Sequence, residues 1–174
     1  MPREPGGEIG IPLTIRRPSA CSSSERAAFL AVAEKSNEVE RANLENGFSR
    51  ARYVVWASDS NGLAGVCALK SPRRNYRRRV FVDSICNLAC EAYPLEFGYL
   101  YVEVGRRNQG YGNSLVVATL NLAEGCGIFA TTREANTEFH ALLIRNGFRQ
   151  VGQAYRSERN ESWLFLFVRD GAPA

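Results

Sequence analysis

The stretch from Glu96 to Gly112 constrains this chain more than any other. Glu96 to Val104 is rich in aromatic and β-branched residues and reads as a strand, and it runs directly into Gly105-Arg-Arg-Asn-Gln-Gly-Tyr-Gly112. Ser114 to Glu124 then places apolar residues at 115, 116, 118, 120 and 122 before Gly125 and Gly127, the pattern of a helix with a glycine stop. A strand, a glycine-rich turn and a helix start together build an anion site, because unpaired backbone N–H groups converge where the helix dipole is positive. Gly110 and Gly112 leave no side chain where a pyrophosphate would approach the backbone, and Arg106 and Arg107 add positive charge. A dinucleotide-binding fingerprint is excluded, since the third glycine and the later acidic residue at suitable spacing are missing. A P-loop is excluded too, because no Gly-Lys-Ser or Gly-Lys-Thr triplet occurs.

The rest of the chain frames this unit. Leu13 and Ile15 alternate in a short first strand, Ser22 to Ser24 offer an N-cap, and Phe29, Leu30, Val32 and Ala33 mark the apolar face of a first helix. A second helix is expected over Val39 to Phe48. Tyr53 to Trp56 and Leu63 to Leu69, joined by Asp59-Ser-Asn-Gly62, read as a hairpin. Ser71 to Pro94 opens with Arg73, Arg74, Arg77, Arg78 and Arg79 and continues as a helix through Ile85 and Leu88. Ile128 to Thr132 is a strand, Asn136 caps a helix with Phe139, Leu142 and Leu143 that closes at Gly147, and Phe148 to Tyr155 and Trp163 to Arg169 form a final strand pair. With 174 residues the order describes one mixed α/β domain over 13–170, preceded by a flexible segment over 1–12.

The longest apolar runs, Trp163 to Val168 and Leu115 to Ala118, fall far short of the roughly 20 residues a membrane span needs. The first dozen residues lack the apolar run of a secretory signal, so a cytoplasmic location is expected. Five cysteines, Cys21, Cys67, Cys86, Cys90 and Cys126, are read as reduced thiols. Cys86 and Cys90 have helical i, i+4 spacing, but one histidine in the whole chain leaves a zinc site short of ligands, and no metal is expected. The net charge of +4 suits a phosphorylated ligand or nucleic acid.

Arg107-Asn-Gln-Gly-Tyr-Gly112, placed after the Leu100-Tyr-Val102 strand, resembles the Arg/Gln-x-x-Gly-x-Gly motif of the GNAT (GCN5-related) N-acetyltransferase family. Asn136 opening a helix and Gly147-Phe148 closing it resemble the family's next element, and the similarity covers about 96–169 in detail. The resemblance implies the GNAT acyl-CoA N-acyltransferase fold, a mixed, mostly antiparallel central sheet flanked by helices. It implies acetyl-CoA as cosubstrate, coenzyme A as product, and a primary amine of a small molecule, peptide or protein as acceptor, by direct transfer in a ternary complex. Tyr101, Val102, Glu103 and Val104 would hold the pantetheine arm between splayed strands. Arg107, Asn108, Gln109, Gly110, Tyr111, Gly112, Asn113 and Ser114 would hold the pyrophosphate, with Asn136 and Phe139 also at the cofactor, while Arg106 stands at a variable position.

An acceptor amine must lose a proton to attack, and Glu96, six residues before Val102, stands where certain relatives place the glutamate that accepts it through water. The alternative for Glu96 is a solvent-facing carboxylate at a strand end. Relatives carry a tyrosine seven residues after the helix-opening Asn to protonate the leaving sulfur, whereas this chain has Leu143. His140, three residues earlier, and Tyr99 and Tyr101 on the strand are the substitute acids. Two other readings stay open: a catalytically weak CoA-binding sensor or interaction module, and an RNA-associated (aminoacyl-tRNA) acetyltransferase that uses the arginine run. Either a monomer or a homodimer is compatible with the sequence.

Overall fold

The computed structural model describes residues 10–37, 39–159 and 161–173. The expected flexible segment over 1–12 lies mostly outside the described residues, and at its described end Ile11 packs against the main core. Seven strands form one sheet: β1 (Leu13–Arg16), β2 (Ala51–Asp59), β3 (Gly62–Lys70), β4 (Leu95–Val102), β5 (Ile128–Arg133), β6 (Arg149–Arg156) and β7 (Trp163–Arg169). Their spatial order is β1-β2-β3-β4-β5-β7-β6, antiparallel everywhere except between β4 and β5. Five helices cover it: α1 (Ser23–Glu34), α2 (Arg41–Arg50), α3 (Arg74–Asp83), α4 (Tyr111–Asn121) and α5 (Thr137–Arg145).

Alternation along the strands sorts side chains to two faces. On one face Val55, Cys67, Leu95, Phe97 and Ala130 meet Leu115, Val116 and Leu120 of α4 and Leu143 of α5. On the other, α1 and α2 bring Phe29, Leu30, Leu44 and Phe48 onto Val54, Trp56, Val66 and Ala68. Further along that second face, Val80 and Phe81 of α3 pack with Tyr93, Phe129, Leu166 and Val168. Burial of these side chains, at about 25 cal/mol per Å² of apolar area, supplies the main driving force for the fold. α1 begins with a capping box, Ser22 Oγ accepting from the Glu25 N–H at 3.1 Å and Glu25 Oε2 accepting from the Ser22 N–H at 2.8 Å.

The region after β3 departs from expectation. The helix there lies over the arginine run itself and ends at Asp83, with Ile85 beyond it in a left-handed conformation (φ +51°). Tyr76 and Val80, four apart, turn one side of α3 to the sheet, while Arg74, Arg78 and Arg79 are exposed and Arg77 is half-buried. Cys86 and Cys90 therefore do not share a helix, and the spacing that suggested a ligand pair has no structural counterpart. α4 also starts three residues earlier than the apolar pattern indicates, directly from Gly110.

Two features of β4 shape the site. It pairs with β5 at Leu95 with Ile128 and Glu96 with Phe129, after which the strands part, although β4 continues to Val102 and β5 to Arg133. The result is a V with Glu96 at its vertex. On the other edge, Val66 faces Tyr101 and Ala68 faces Gly98, so two residues of β4 oppose the single residue Cys67. Tyr99 in this bulge has φ +58°.

Candidate active site

At the far end of the V the chain leaves β4 through a short turn, Val104–Arg106, and enters α4 at Gly110, whose φ of +88° suits glycine alone among common residues. The first bond inside α4 runs from the Ser114 N–H to Gly110 O at 3.0 Å, and no side chain among the described residues caps the helix. The N–H groups of Tyr111, Gly112 and Asn113 thus have no helical acceptor and point out of the helix start. A Cβ at Gly112 would come 3.5 Å from Leu142 Cδ2 and 3.8 Å from Val102 Cγ2, so the opening beside the helix start is bordered by β4 and α5. These donors, the dipole and the missing side chains together fit a pyrophosphate.

The neighbours of that turn are held in place. Arg106 grips Asp59 at the end of β2 with two bonds, Nε to Oδ2 at 2.9 Å and Nη2 to Oδ1 at 3.0 Å, and this guanidinium holds the Asp59 carboxyl below its usual range. Arg106 is therefore committed to the scaffold. Arg107 Nε donates to Val102 O at 3.2 Å, and its guanidinium lies over the Tyr101 ring at 5.6 Å. Gln109 Nε2 donates to Gly105 O at 3.0 Å, and Asn113 Oδ1 accepts from Asn146 Nδ2 at 3.1 Å. Asn108 is left-handed at φ +59°. Glu103 donates its N–H to Ala64 O at 2.9 Å while its carboxylate pairs with Lys35 at 2.5 Å. Asn136 Oδ1 accepts from the Phe139 N–H at 3.3 Å and so caps α5, and the Phe139 ring faces Phe97 of β4 at 6.1 Å between ring centres.

At the vertex, on the face that carries α2 and α3, lies a cleft of about 570 Å³. Glu96, Gly98 and Tyr99 of β4 form part of its lining, together with Lys70, Tyr76 and Thr131. Glu96 is 4% exposed and is not a solvent-facing carboxylate. Lys70 Nζ stands 2.9 Å from Glu96 Oε1, and the Tyr76 hydroxyl donates to the same oxygen at 3.2 Å. Burial draws the Lys70 ammonium down, but the Glu96 charge and hydrogen bond outweigh it and hold Lys70 above its usual value. Burial and the Glu96 charge push the Tyr76 hydroxyl well up, and the same two causes raise Tyr155 across the cleft. Lys70 Nζ also lies 4.6 Å above the centre of the Tyr99 ring. The Tyr99 hydroxyl sits against Gly47 of α2, where any Cβ would overlap it.

His140 is placed differently. Its ring packs on Phe167 and Phe165 of β7, at 5.2 and 5.5 Å between centres, and its Nε2 is 2.9 Å from Arg133 O. These contacts are on the α4–α5 face of the sheet, whereas Glu96 and Tyr99 open on the α2–α3 face, so the three expected catalytic groups do not converge. Leu143, in place of the expected tyrosine, is wholly buried in the main core. Sequence reasoning missed Lys70, Tyr76 and Gly47. Gly98 was the available signal for the bulge, since a glycine inside a strand pattern often marks one.

No family model and no curated protein sequence matches this chain. Solved structures do match. An acyl-CoA N-acyltransferase from Pseudomonas aeruginosa superimposes with a TM-score of 0.68 at 16% identity, covering 92% of this chain and 99% of its own. This chain has the GNAT acyl-CoA N-acyltransferase fold. Escherichia coli ElaA gives the same TM-score at 14% identity, with 92% and 100% covered. Arabidopsis thaliana NAA60, solved with a bisubstrate analogue, gives 0.64 at 16%, again with 92% and 100% covered. Within the GNAT fold of this chain, the V between β4 and β5 joins the α4 helix start to the Glu96 cleft.

Proposed function

We propose that this protein is an acetyl-CoA-dependent N-acetyltransferase that transfers the acetyl group directly to a primary amine. The observation that carries the reading is the pairing of an uncapped α4 N-terminus at one end of the β4–β5 opening with a buried glutamate at the other. The fold, shared with structures described as an N-acyltransferase and an acetyltransferase, supports it.

In this reading the N–H groups of Tyr111, Gly112 and Asn113 hold the pyrophosphate, and Arg107 swings its remaining guanidinium nitrogens to it. The unpaired edge of β4 toward β5, ending at Val102, hydrogen-bonds the pantetheine arm in the manner of an added strand. Phe97 and Phe139 supply the apolar wall beneath it. Bound acetyl-CoA supplies an activated thioester whose C–S bond breaks as the C–N bond to the acceptor forms, releasing the CoA thiol. Glu96 takes the amine proton; Lys70 and Tyr76 both bind Oε1, and the task falls to Oε2 in this reading. Tyr99, the expected acid that lines the cleft, gives a proton to the leaving sulfur, directly or through water. His140 takes no part in this scheme.

The test is amine-dependent release of CoA thiol from acetyl-CoA, with the acetylated amine identified by mass spectrometry. Stoichiometric transfer supports the reading. Saturable acetyl-CoA binding with no transfer to a broad amine panel would instead mark a CoA-binding module.

A further inference from the structure

The charge of the acceptor cleft is out of balance. Among the described residues that line it, seven are cationic and three are acidic. Glu96 is paired with Lys70, and Glu158 with Arg79, each at 2.9 Å. Two further cations have neutral partners that leave their charge uncancelled: Arg133 Nη2 donates to Asn37 O at 2.9 Å, and Arg156 donates to Glu161 O and lies over the Trp163 ring at 4.4 Å. Arg50, Arg73 and Arg159 make no ion pair among the described residues. Among the described lining residues one carboxylate, Asp83, remains against these five guanidinium groups.

Three structural elements bring the unpaired cations to the lining of this one cleft. Arg50 ends α2, Arg73 is the N-cap residue of α3, and Arg159 lies in the β6–β7 connection. The helix start adds to them. α3 has no side-chain cap among the described residues and no acidic residue in its first turn, and its first internal bond runs from the Arg77 N–H to Arg73 O at 3.0 Å. The N–H groups of Arg74, Asn75 and Tyr76 are left without helical acceptors. Arg159 also lies near enough to Lys70 for its charge to oppose the Lys70 ammonium, although the Glu96 carboxylate on Lys70 outweighs it. Holding cations in this way costs stability, and an anion placed among them relieves that cost through charge-assisted hydrogen bonds. The sequence-level arginine run is meanwhile split, with Arg73 and Arg79 on the cleft and Arg74, Arg77 and Arg78 outside its lining.

We propose that the acceptor amine is carried by an anionic small molecule, whose carboxylate or phosphate is held by Arg50, Arg73 and Arg159 at the start of α3 while its amine reaches Glu96. A cleft of about 570 Å³ falls within the roughly 300–1,000 Å³ range of small-ligand sites. The inference rests on the acetyl-transfer reading above and adds the class of acceptor to it.

The experiment compares kcat/KM for matched acceptors that differ in one anionic group: phosphoethanolamine against ethanolamine, and β-alanine against β-alaninamide. At least one anionic member is expected to exceed its neutral partner by about tenfold or more, ~1.4 kcal/mol. The pair that shows the preference tells phosphate from carboxylate. Arg73→Gln combined with Arg159→Gln should bring that ratio near one, whereas Arg73→Lys should retain most of it. A separate readout guards against loss of turnover: with CoA present, the preferred anionic amine should raise the melting temperature of wild type and not of the double variant. Equal kcat/KM within both pairs, in a protein that acetylates amines, overturns this inference and leaves the acetyl-transfer reading standing. Failure to bind acetyl-CoA overturns both. Transfer to aminoacyl-tRNA with no transfer to the small anions also overturns it, in favour of an RNA acceptor.

Discussion

Lys70 Nζ and Glu96 Oε1 lie 2.9 Å apart because the two residues face each other directly across the β3–β4 ladder. Lys70 places a cation against this buried carboxylate, and the account gives the carboxylate the acceptor's proton. Glu96→Gln should lower acetyl transfer by about 10² to 10⁴ fold, most at the low end of the pH range where free amine is scarce, with the acetyl-CoA-induced melting shift unchanged. Steady-state rates across pH and a thermal melt check both halves. Lys70→Met, which strands the Glu96 charge, should cost about 3 kcal/mol in denaturant unfolding.

The same cluster sets an alkaline limit. Lys70, Tyr76 and Tyr155 all have folded-state values above their ordinary ones. As the pH climbs past about 10, the unfolded chain sheds these protons before the folded one does. It then binds fewer protons than the native state, so stability falls with rising pH. Tyr76→Phe with Tyr155→Phe should flatten the loss above pH ~10, read from unfolding free energies at successive pH values. An unchanged slope would show that the cluster does not set the limit.

His140→Ala tests the assignment of faces. With its ring against Phe165 and Phe167 and its Nε2 on Arg133 O, His140 supports the junction of α5 with β5 and β7. Truncation should lower stability by about 1–3 kcal/mol and leave kcat within about twofold. A fall of about tenfold or more in kcat, with the acetyl-CoA affinity unaltered, would return the acid role to His140.

Gly47→Ala tests the seat of Tyr99. The added methyl group would occupy the space of the Tyr99 hydroxyl, so α2 or the bulged strand must shift. A loss of about 1–3 kcal/mol in stability and a drop in transfer rate are expected together. Full activity would show that the position of Tyr99 does not matter to the reaction.

The parts of the site that were legible in the sequence are local ones. Arg107 to Gly112 and the Asn136 cap lie within one turn of the helices they start, so a few adjacent residues determine their structure. Lys70 and Glu96 are 26 positions apart, and α3 intervenes between their strands, so no tight turn announces their register. α3 itself was displaced in the reading because Arg73 to Arg79 mask a narrow apolar side of Tyr76, Val80 and Phe81. Strict alternation along β4 would put Gly98 and Tyr99 on opposite faces, and the bulge at φ +58° brings both to the cleft. His140 and Leu143 share a side of α5 by spacing, and both turn toward the core that contains Phe167 rather than to the Glu96 cleft, an outcome that depends on tertiary packing.

The most direct test of the central claim is the melting temperature of wild type and of Gly112→Asp with and without acetyl-CoA. Gly112 is the cleaner site, since Gly110 is left-handed and any substitution there is strained by itself. At about 100 times its dissociation constant, acetyl-CoA stabilises the folded state by about 2.7 kcal/mol. For a chain of this size that is a rise of roughly 5–10 °C. The account predicts this rise in wild type and its loss in Gly112→Asp, where a carboxylate stands at the α4 helix start. No rise in wild type, or an equal rise in both proteins, would contradict it.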